Sequence, residues 1–204
     1  MYQSNRRCTL LLMPTILSHA AIPLALGLGS GAIPKRLFFA GIVAATLPDI
    51  DVLAFRLNIA YSHALGHRGI THSVVFALAL AFMALSCAKQ LRSSRTIAFA
   101  FVGLSAVSHG LLDMITNGGL GIALWWPWSS ERFFAPWQVI EVAPLSLDRA
   151  LGARGVAVLQ SELLWVWLPA AAVAAAIYIG RIQRPFWSGK NNRGAKPTRF
   201  EPEA

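Results

Sequence analysis

The chain has 204 residues, of which 55% are hydrophobic and 13% charged, and its mean hydropathy is +0.53. Soluble domains are about 25% charged, so this composition excludes a disordered protein, a coiled coil and an ordinary cytosolic domain. What remains is an all-α, polytopic membrane protein of one domain. The net charge of +9 does not point to nucleic acid. Arg181, Arg184, Lys190, Arg193, Lys196 and Arg199 all fall in the last 24 residues, and a basic tail just after an apolar span suits a cytoplasmic anchor beside anionic lipid.

Five stretches are apolar enough for membrane spans, which need about 20 residues. Residues 1–12 read as an extension upstream of Met13, a plausible true start. Span one runs from Met13 to Ile33; it carries His19 and is too long for a signal peptide. Span two, Leu37 to Leu57, contains Pro48, Asp49 and Asp51 near its end. Span three runs from Ile70 to Ala88, with Thr71 as the expected N-cap. Span four runs from Thr96 to Ile115. Between Asn117 and Glu162 lies a segment holding Trp125, Trp126, Trp128 and Trp137. It is expected to form re-entrant or interfacial pieces, since indoles settle at the membrane–water interface. The last span, Leu163 to Ile179, has no charge at all. The domain thus covers 13–182, and 183–204 reads as a basic disordered tail. Cys8 and Cys87 have no metal-ligand spacing; they are expected on opposite membrane faces, unpaired.

With the tail in the cytoplasm and five spans, the N-terminus lies outside. Eleven of the Lys and Arg residues then fall inside and seven outside, in the sense of the positive-inside rule. The ionisable residues of the spans are not scattered. His19 lies near the start of span one, Asp49 and Asp51 at the end of span two, His67 and His72 at the start of span three, and His109 and Asp113 at the end of span four. Alternating spans put all of these on one side of the membrane, the periplasmic side in this orientation. Such groups are costly in a bilayer and are functional candidates by default.

His109 and Asp113 are four apart, so both face one side of a helix. Asp49 and Asp51 would face nearly opposite ways on an α-helix, but Pro48 predicts a bend that lets both turn to one point. Gly66 and Gly69 give the loop between His67 and His72 freedom to curl. Imidazoles and carboxylates without thiolates suit zinc, manganese or iron(II). Seven candidates, His19, Asp49, Asp51, His67, His72, His109 and Asp113, exceed the need of one tetrahedral ion. One ion with supporting residues and two ions are both open. His63 reads instead as a solvated residue, and Glu131, Glu141 and Glu162 as surface or interfacial carboxylates, with a catalytic role as the lesser alternative.

Four motifs carry a family resemblance: MPTILSHAAIPL from Met13, LPDID at Leu47–Asp51, HRGITHS at His67–Ser73 and SHGLLD at Ser108–Asp113. With GGLGIALWWPW at Gly118–Trp128, they resemble the YdjM-type family over about Met13 to Leu168. These are bacterial inner-membrane proteins described as metal-dependent hydrolases and also labelled LexA-binding or LexA-regulated. There is a more distant likeness to zinc-dependent phospholipase C. The resemblance implies a membrane hydrolase of the zinc type. A bound ion would activate water and polarise the scissile bond. Asp51 or Asp113 could serve as base, and Arg68 could hold an anionic phosphate, unless it contacts a headgroup or pairs with Asp49 or Asp51. Substrate chemistry at headgroup depth points to a phosphoester or phospholipid-like molecule, with membrane lipid as partner. The competing expectation is a metal-stabilised membrane scaffold or a metal-ion transporter. A transporter needs polar groups at the bilayer midplane, whereas the stretch Val74–Leu85 is nearly featureless.

Overall fold

The computed structural model describes residues 16–142 and 151–191, with side chains for 17–142 and 151–183. The extension 1–12 with Cys8, the first residues of span one and the end of the basic tail lie outside the described residues. Among the described residues the regular structure is helical. There are no strands, only two isolated bridges, Thr116 with Ile140 and Ile122 with Phe133.

The first apolar stretch forms two pieces, α1 (Ile16–His19) and α2 (Ala21–Ser30). Pro23 causes the interruption: lacking an N–H, it cannot bond to the carbonyl of His19, and its ring crowds that carbonyl. The chain therefore turns at Ala20, directly after the histidine. The second stretch is α3 (Lys35–Thr46), continued by a 3₁₀ helix over Leu47–Leu57 that has Pro48 in its first turn. An eleven-residue 3₁₀ run is long for this geometry, and it replaces the expected bend.

After a loop and a 3₁₀ turn (Ile70–His72), α4 covers Val74–Ser86 and α5 covers Arg95–Met114. The cap of α4 is Ser73 rather than Thr71. Ser73 is extended, and its Oγ accepts from the Phe76 amide at 3.2 Å, whereas the Thr71 hydroxyl is spent on Asp51. The last helix starts earlier than expected. It begins as α6 (Ala153–Glu162), widens into a π turn at Leu163–Trp167 and continues as α7 (Leu168–Asn191). Arg154, Gln160 and Glu162 hide its first turns from a hydropathy reading.

Three of these helices are long and apolar enough to cross a bilayer: Lys35–Leu57, Arg95–Met114 and Ala153–Gln183. Leu17–Ser30 and Val74–Ser86 are shorter apolar helices. Small residues set the packing. Ala44 of α3, Ala77, Ala81 and Ala84 of α4, and Ala98 and Ala106 of α5 are all buried, so the backbones approach closely. A second cluster joins Ala21 and Ala25 of α2 to Ile140, Val166 and Ala170. Large apolar side chains such as Phe39, Phe82, Leu104 and Leu111 face outward, the reverse of a soluble protein and as lipid contact requires.

Of the tryptophan-rich segment, residues 117–142 contain no helix, and its end, Ala153–Glu162, is α6. The helix-free part folds back over the loop before α4: Ala123 N donates to Arg68 O and Val74 N to Leu124 O, both at 3.0 Å. Trp125, Trp128 and Trp137 are exposed on it.

Candidate metal centre

The sequence-derived candidates meet at one end of the bundle. His19, Asp49, Asp51, His67, His72, His109 and Asp113 are each at most 9% exposed. One ligand atom each from Asp49, His72, His109 and Asp113 lies within 4.8 Å of the others. Nε2 of His72 lies 2.9 Å from Nε2 of His109 and 3.0 Å from Asp113 Oδ2. His109 Nε2 is 3.6 Å from Asp49 Oδ1 and 3.7 Å from Asp113 Oδ2. A tetrahedral ion with bonds near 2.0–2.1 Å separates its ligand atoms by about 3.3 Å, so these four span the right distances.

The 3₁₀ winding brings the second pair of acids into play. Two residues apart on an α-helix lie about 160° apart around the axis, but only about 120° apart on a three-residue turn. Asp49 and Asp51 therefore both point inward, while Ile50 between them is 55% exposed. The same winding exposes a carbonyl. With i to i+3 bonding, the donor for Ala45 O would be residue 48, a proline without an N–H. His109 Nδ1 takes that place at 2.7 Å.

This bond fixes a tautomer. A carbonyl only accepts, so Nδ1 of His109 carries the proton and Nε2 presents its lone pair. His72 is fixed in the same way. Thr71 donates its hydroxyl to Asp51 Oδ2 at 2.5 Å, so its oxygen accepts from His72 Nδ1 at 3.0 Å; Asp51 Oδ2 lies 3.2 Å from the same nitrogen. Two bare Nε2 atoms thus face each other beside two carboxylates, an arrangement that calls for a cation or an added proton.

Asp49 Oδ2, Asp113 Oδ2 and His19 Nδ1 are buried with no hydrogen-bond partner among the described residues. His72 Nε2 is near Asp113 Oδ2 in distance but not aligned for a hydrogen bond. Buried unpaired oxygens are expensive, and a dication facing them is the usual resolution. The donor set, two imidazole nitrogens and two carboxylates, fits zinc, manganese or iron(II).

The other candidates support this set. Asp51 accepts from His67 Nδ1 at 2.6 Å and from the Arg68 amide at 3.0 Å, besides Thr71. Asp51 and His67 thus hold His72 in place. His19 stacks on His109 with ring centroids 3.8 Å apart, and its Nε2 is 3.7 Å from Asp49 and 3.8 Å from Asp113. It borders the four-residue set without joining it.

Arg68 is 3% exposed and has a left-handed backbone, φ +61°. Its guanidinium donates to Asp113 Oδ1 at 3.1 Å, Thr116 Oγ1 at 2.9 Å and Gly118 O at 2.8 Å. It therefore pairs with Asp113, not with Asp49 or Asp51. The glycines beside it serve close approach rather than flexibility: a Cβ on Gly66 would sit 2.2 Å from Ala60 O, and one on Gly69 2.1 Å from Ala64 O.

The His63 side chain is exposed and its Nδ1 accepts from the Leu65 amide, and Glu141 pairs with Arg154 at 2.7 Å on the surface. One residue of weight escaped the sequence reading, and a second was read mainly as interfacial. Arg132 donates to the carbonyls of Tyr61, His63, His67 and Arg68, clamping the loop that carries two of the histidines; nothing in its local sequence signals this. Glu162 is 1% exposed, not interfacial. The signal for it was an acid directly preceding an apolar run.

The family model described as YdjM inner membrane protein matches residues 13–186. The inner membrane protein YbcI of Escherichia coli (strain K12) is 51% identical over 160 residues, covering 77% of this chain and 92% of that protein. No solved structure matches. A bundle of apolar helices with a buried His/Asp cluster at one end, matched over most of its length, places this chain in the YdjM inner membrane protein family.

Proposed function

We propose that the chain is a multi-pass metal-dependent hydrolase of the bacterial inner membrane. Its five apolar helices cross the bilayer with the site toward the periplasmic face and the basic tail in the cytoplasm. It acts at the lipid–water interface on a phosphoester or phospholipid-like substrate. The observation that carries the reading is the convergence of two Nε2 lone pairs and two carboxylates in a buried cluster. Zinc fits this donor set, with manganese and iron(II) as the other candidates. One ion suits the local charge: Asp49, Asp51 and Asp113 against Arg68 leave two negative charges, which one dication neutralises. An ion held by Asp49, His72, His109 and Asp113 would supply Lewis acidity and an activated water. Asp51 and His67 orient His72. Arg68 is committed to Asp113, Thr116 and Gly118, so we assign it to positioning Asp113 and not to gripping substrate phosphate.

The scaffold reading has one observation in its favour: four protein ligands can close a tetrahedral shell, as structural sites do. One preparation separates the readings. Detergent-purified protein should carry one equivalent of transition metal, and His72→Ala and His109→Ala should lose it while His63→Ala keeps it. Full retention of metal in both ligand variants, or a metal-free wild type that remains folded, would end the proposal. A loaded protein whose X-ray absorption shows four protein ligands and no solvent oxygen, and which is inert toward phosphodiesters, would be a scaffold.

A further inference from the structure

Charge is divided between the two ends of the bundle. Asp49 follows α3 and Asp113 lies in the last turn of α5, whereas Lys35 opens α3 and Arg95 opens α5. The end away from the His/Asp cluster thus carries Lys35, Arg36 and Arg95, with Lys89 and Arg92 in the connection from α4 to α5. No acid occurs from Ala20 to Thr46, from Val74 to Leu112 or from Leu163 to Phe200. Arg36 is spent there on Gln90 O at 3.1 Å.

Helices α2 and α7 both run toward this end. Near the cluster Ala21 and Ala25 pack with Val166 and Ala170. Further along, Gly29 lies so close to α7 that a Cβ would sit 2.8 Å from Ala174 O. Beyond that contact the two helices flank an open cavity of about 510 Å³, lined by Ser30, Ala32, Ile177, Gly180 and Arg181, a volume within the range of small-molecule sites. Two glycines shape it. A Cβ on Gly180 would meet no atom within 4 Å, so the wall is open there. Gly31 has a left-handed φ of +57°, and a Cβ on it would collide with Nη1 of Arg181, so the guanidinium rests on bare main chain at the end of α2. Among the described residues Arg181 has no hydrogen-bond or ion-pair partner.

An unpaired guanidinium beside an otherwise apolar cavity calls for a ligand with an anionic head and an apolar body. Basic pockets between membrane helices take anionic lipid headgroups in this way. We infer that the cavity binds one anionic phospholipid of the phosphatidylglycerol class. Its phosphate meets the Arg181 guanidinium beside the Ser30 hydroxyl, and the start of an acyl chain lies along Ile177 and the open face of Gly180. The site is at the opposite end of α2 from His19, so this lipid is held as a partner and not as a substrate. The inference needs the membrane setting of the family and no hydrolase chemistry.

The test uses the full-length protein, delipidated in detergent and mixed with phosphatidylglycerol and phosphatidylcholine at equal concentration. Native mass spectrometry counts the lipids retained. Wild type should keep one phosphatidylglycerol in preference to phosphatidylcholine. Arg181→Gln should weaken that binding by about tenfold or more, as for lost hydrogen bonds to a charged group, and Arg181→Lys should restore part of it. Gly180→Leu leaves the guanidinium in place and favours the helix, yet fills the open wall and should also lose the lipid. Lys89→Gln, outside the cavity lining, should retain it. Equal retention of both lipids, wild-type binding by Arg181→Gln, or an equal loss in Lys89→Gln overturns the inference, the last by showing diffuse surface charge. Displacement of the lipid by millimolar glycerol 3-phosphate overturns it too, since the cavity would then be a site for soluble phosphate.

Discussion

Asp51 offers the sharpest test of how the cluster is organised, because it should control metal binding without being a ligand. Its Oδ2 receives the Thr71 hydroxyl at 2.5 Å and the Arg68 amide at 3.0 Å and sits 3.2 Å from His72 Nδ1, while Oδ1 lies 2.6 Å from His67 Nδ1. Asparagine has one acceptor in place of two. With its NH₂ toward the Oδ2 side it would oppose two donors and push His72 toward the tautomer whose Nε2 carries the proton and cannot ligate. With its NH₂ toward His67, that ring must change tautomer instead, and His72 loses only the negative charge that strengthens its Nε2. The second orientation is the cheaper one. Supporting residues of this kind change metal affinity by about 10–100-fold, so Asp51→Asn should sit near the lower end, about tenfold or ~1.4 kcal/mol. Asp51→Ala, which strands several buried donors, should approach 100-fold. The assay is competition between the purified protein and a chelator of known affinity, with helicity checked by circular dichroism. An Asp51→Asn protein that binds zinc within twofold of wild type would refute the claim that the Asp51 carboxylate strengthens His72 as a ligand.

Three further outcomes follow from the geometry. Ligation needs the bare Nε2 lone pairs of His72 and His109, for which protons compete; apparent metal affinity should therefore fall as the pH is lowered from about 9 to about 6, and a titration flat over that range would contradict this. Replacing Arg132 by alanine removes the donor to four loop carbonyls; it should cost about 2 kcal/mol and speed amide exchange at residues 61–68, whereas unchanged exchange there would show the clamp to be idle. Gly69→Ala places a Cβ 2.1 Å from the Ala64 carbonyl oxygen, so the loop must shift. Lost zinc in a protein of normal helicity is expected, and normal zinc content would contradict the close-approach argument.

Much of this site was legible because its residues are misfits in their surroundings. A histidine or aspartate in an apolar run stands out, and alternating helices convert four chain positions into one membrane face. The division of labour among them was not legible. Whether Asp49 or Asp51 joins the candidate ligand set depends on a change of helical pitch at Pro48, and sequence showed only that regular α-winding was disturbed there. The capping role moved from Thr71 to Ser73 because the nearby Asp51 carboxylate, distant in sequence, competes for the threonine hydroxyl. Glu162 read as interfacial because its helix was taken to begin at Leu163, whereas tertiary packing extends that helix back to Ala153. Arg132 acts on main-chain carbonyls far away along the chain, a partnership that leaves no trace in composition or spacing.

The wide spread of the four ion-facing residues along the polypeptide bears on biogenesis. A nascent chain that ends before Asp113 lacks one of the four, and one that ends before Arg132 lacks the clamp over the loop. On the proposed metal-binding reading, loading waits until α5 has left the ribosome and the following segment has closed over it. Truncated products would then be unable to retain the ion, and metal content would report whether assembly has run to completion.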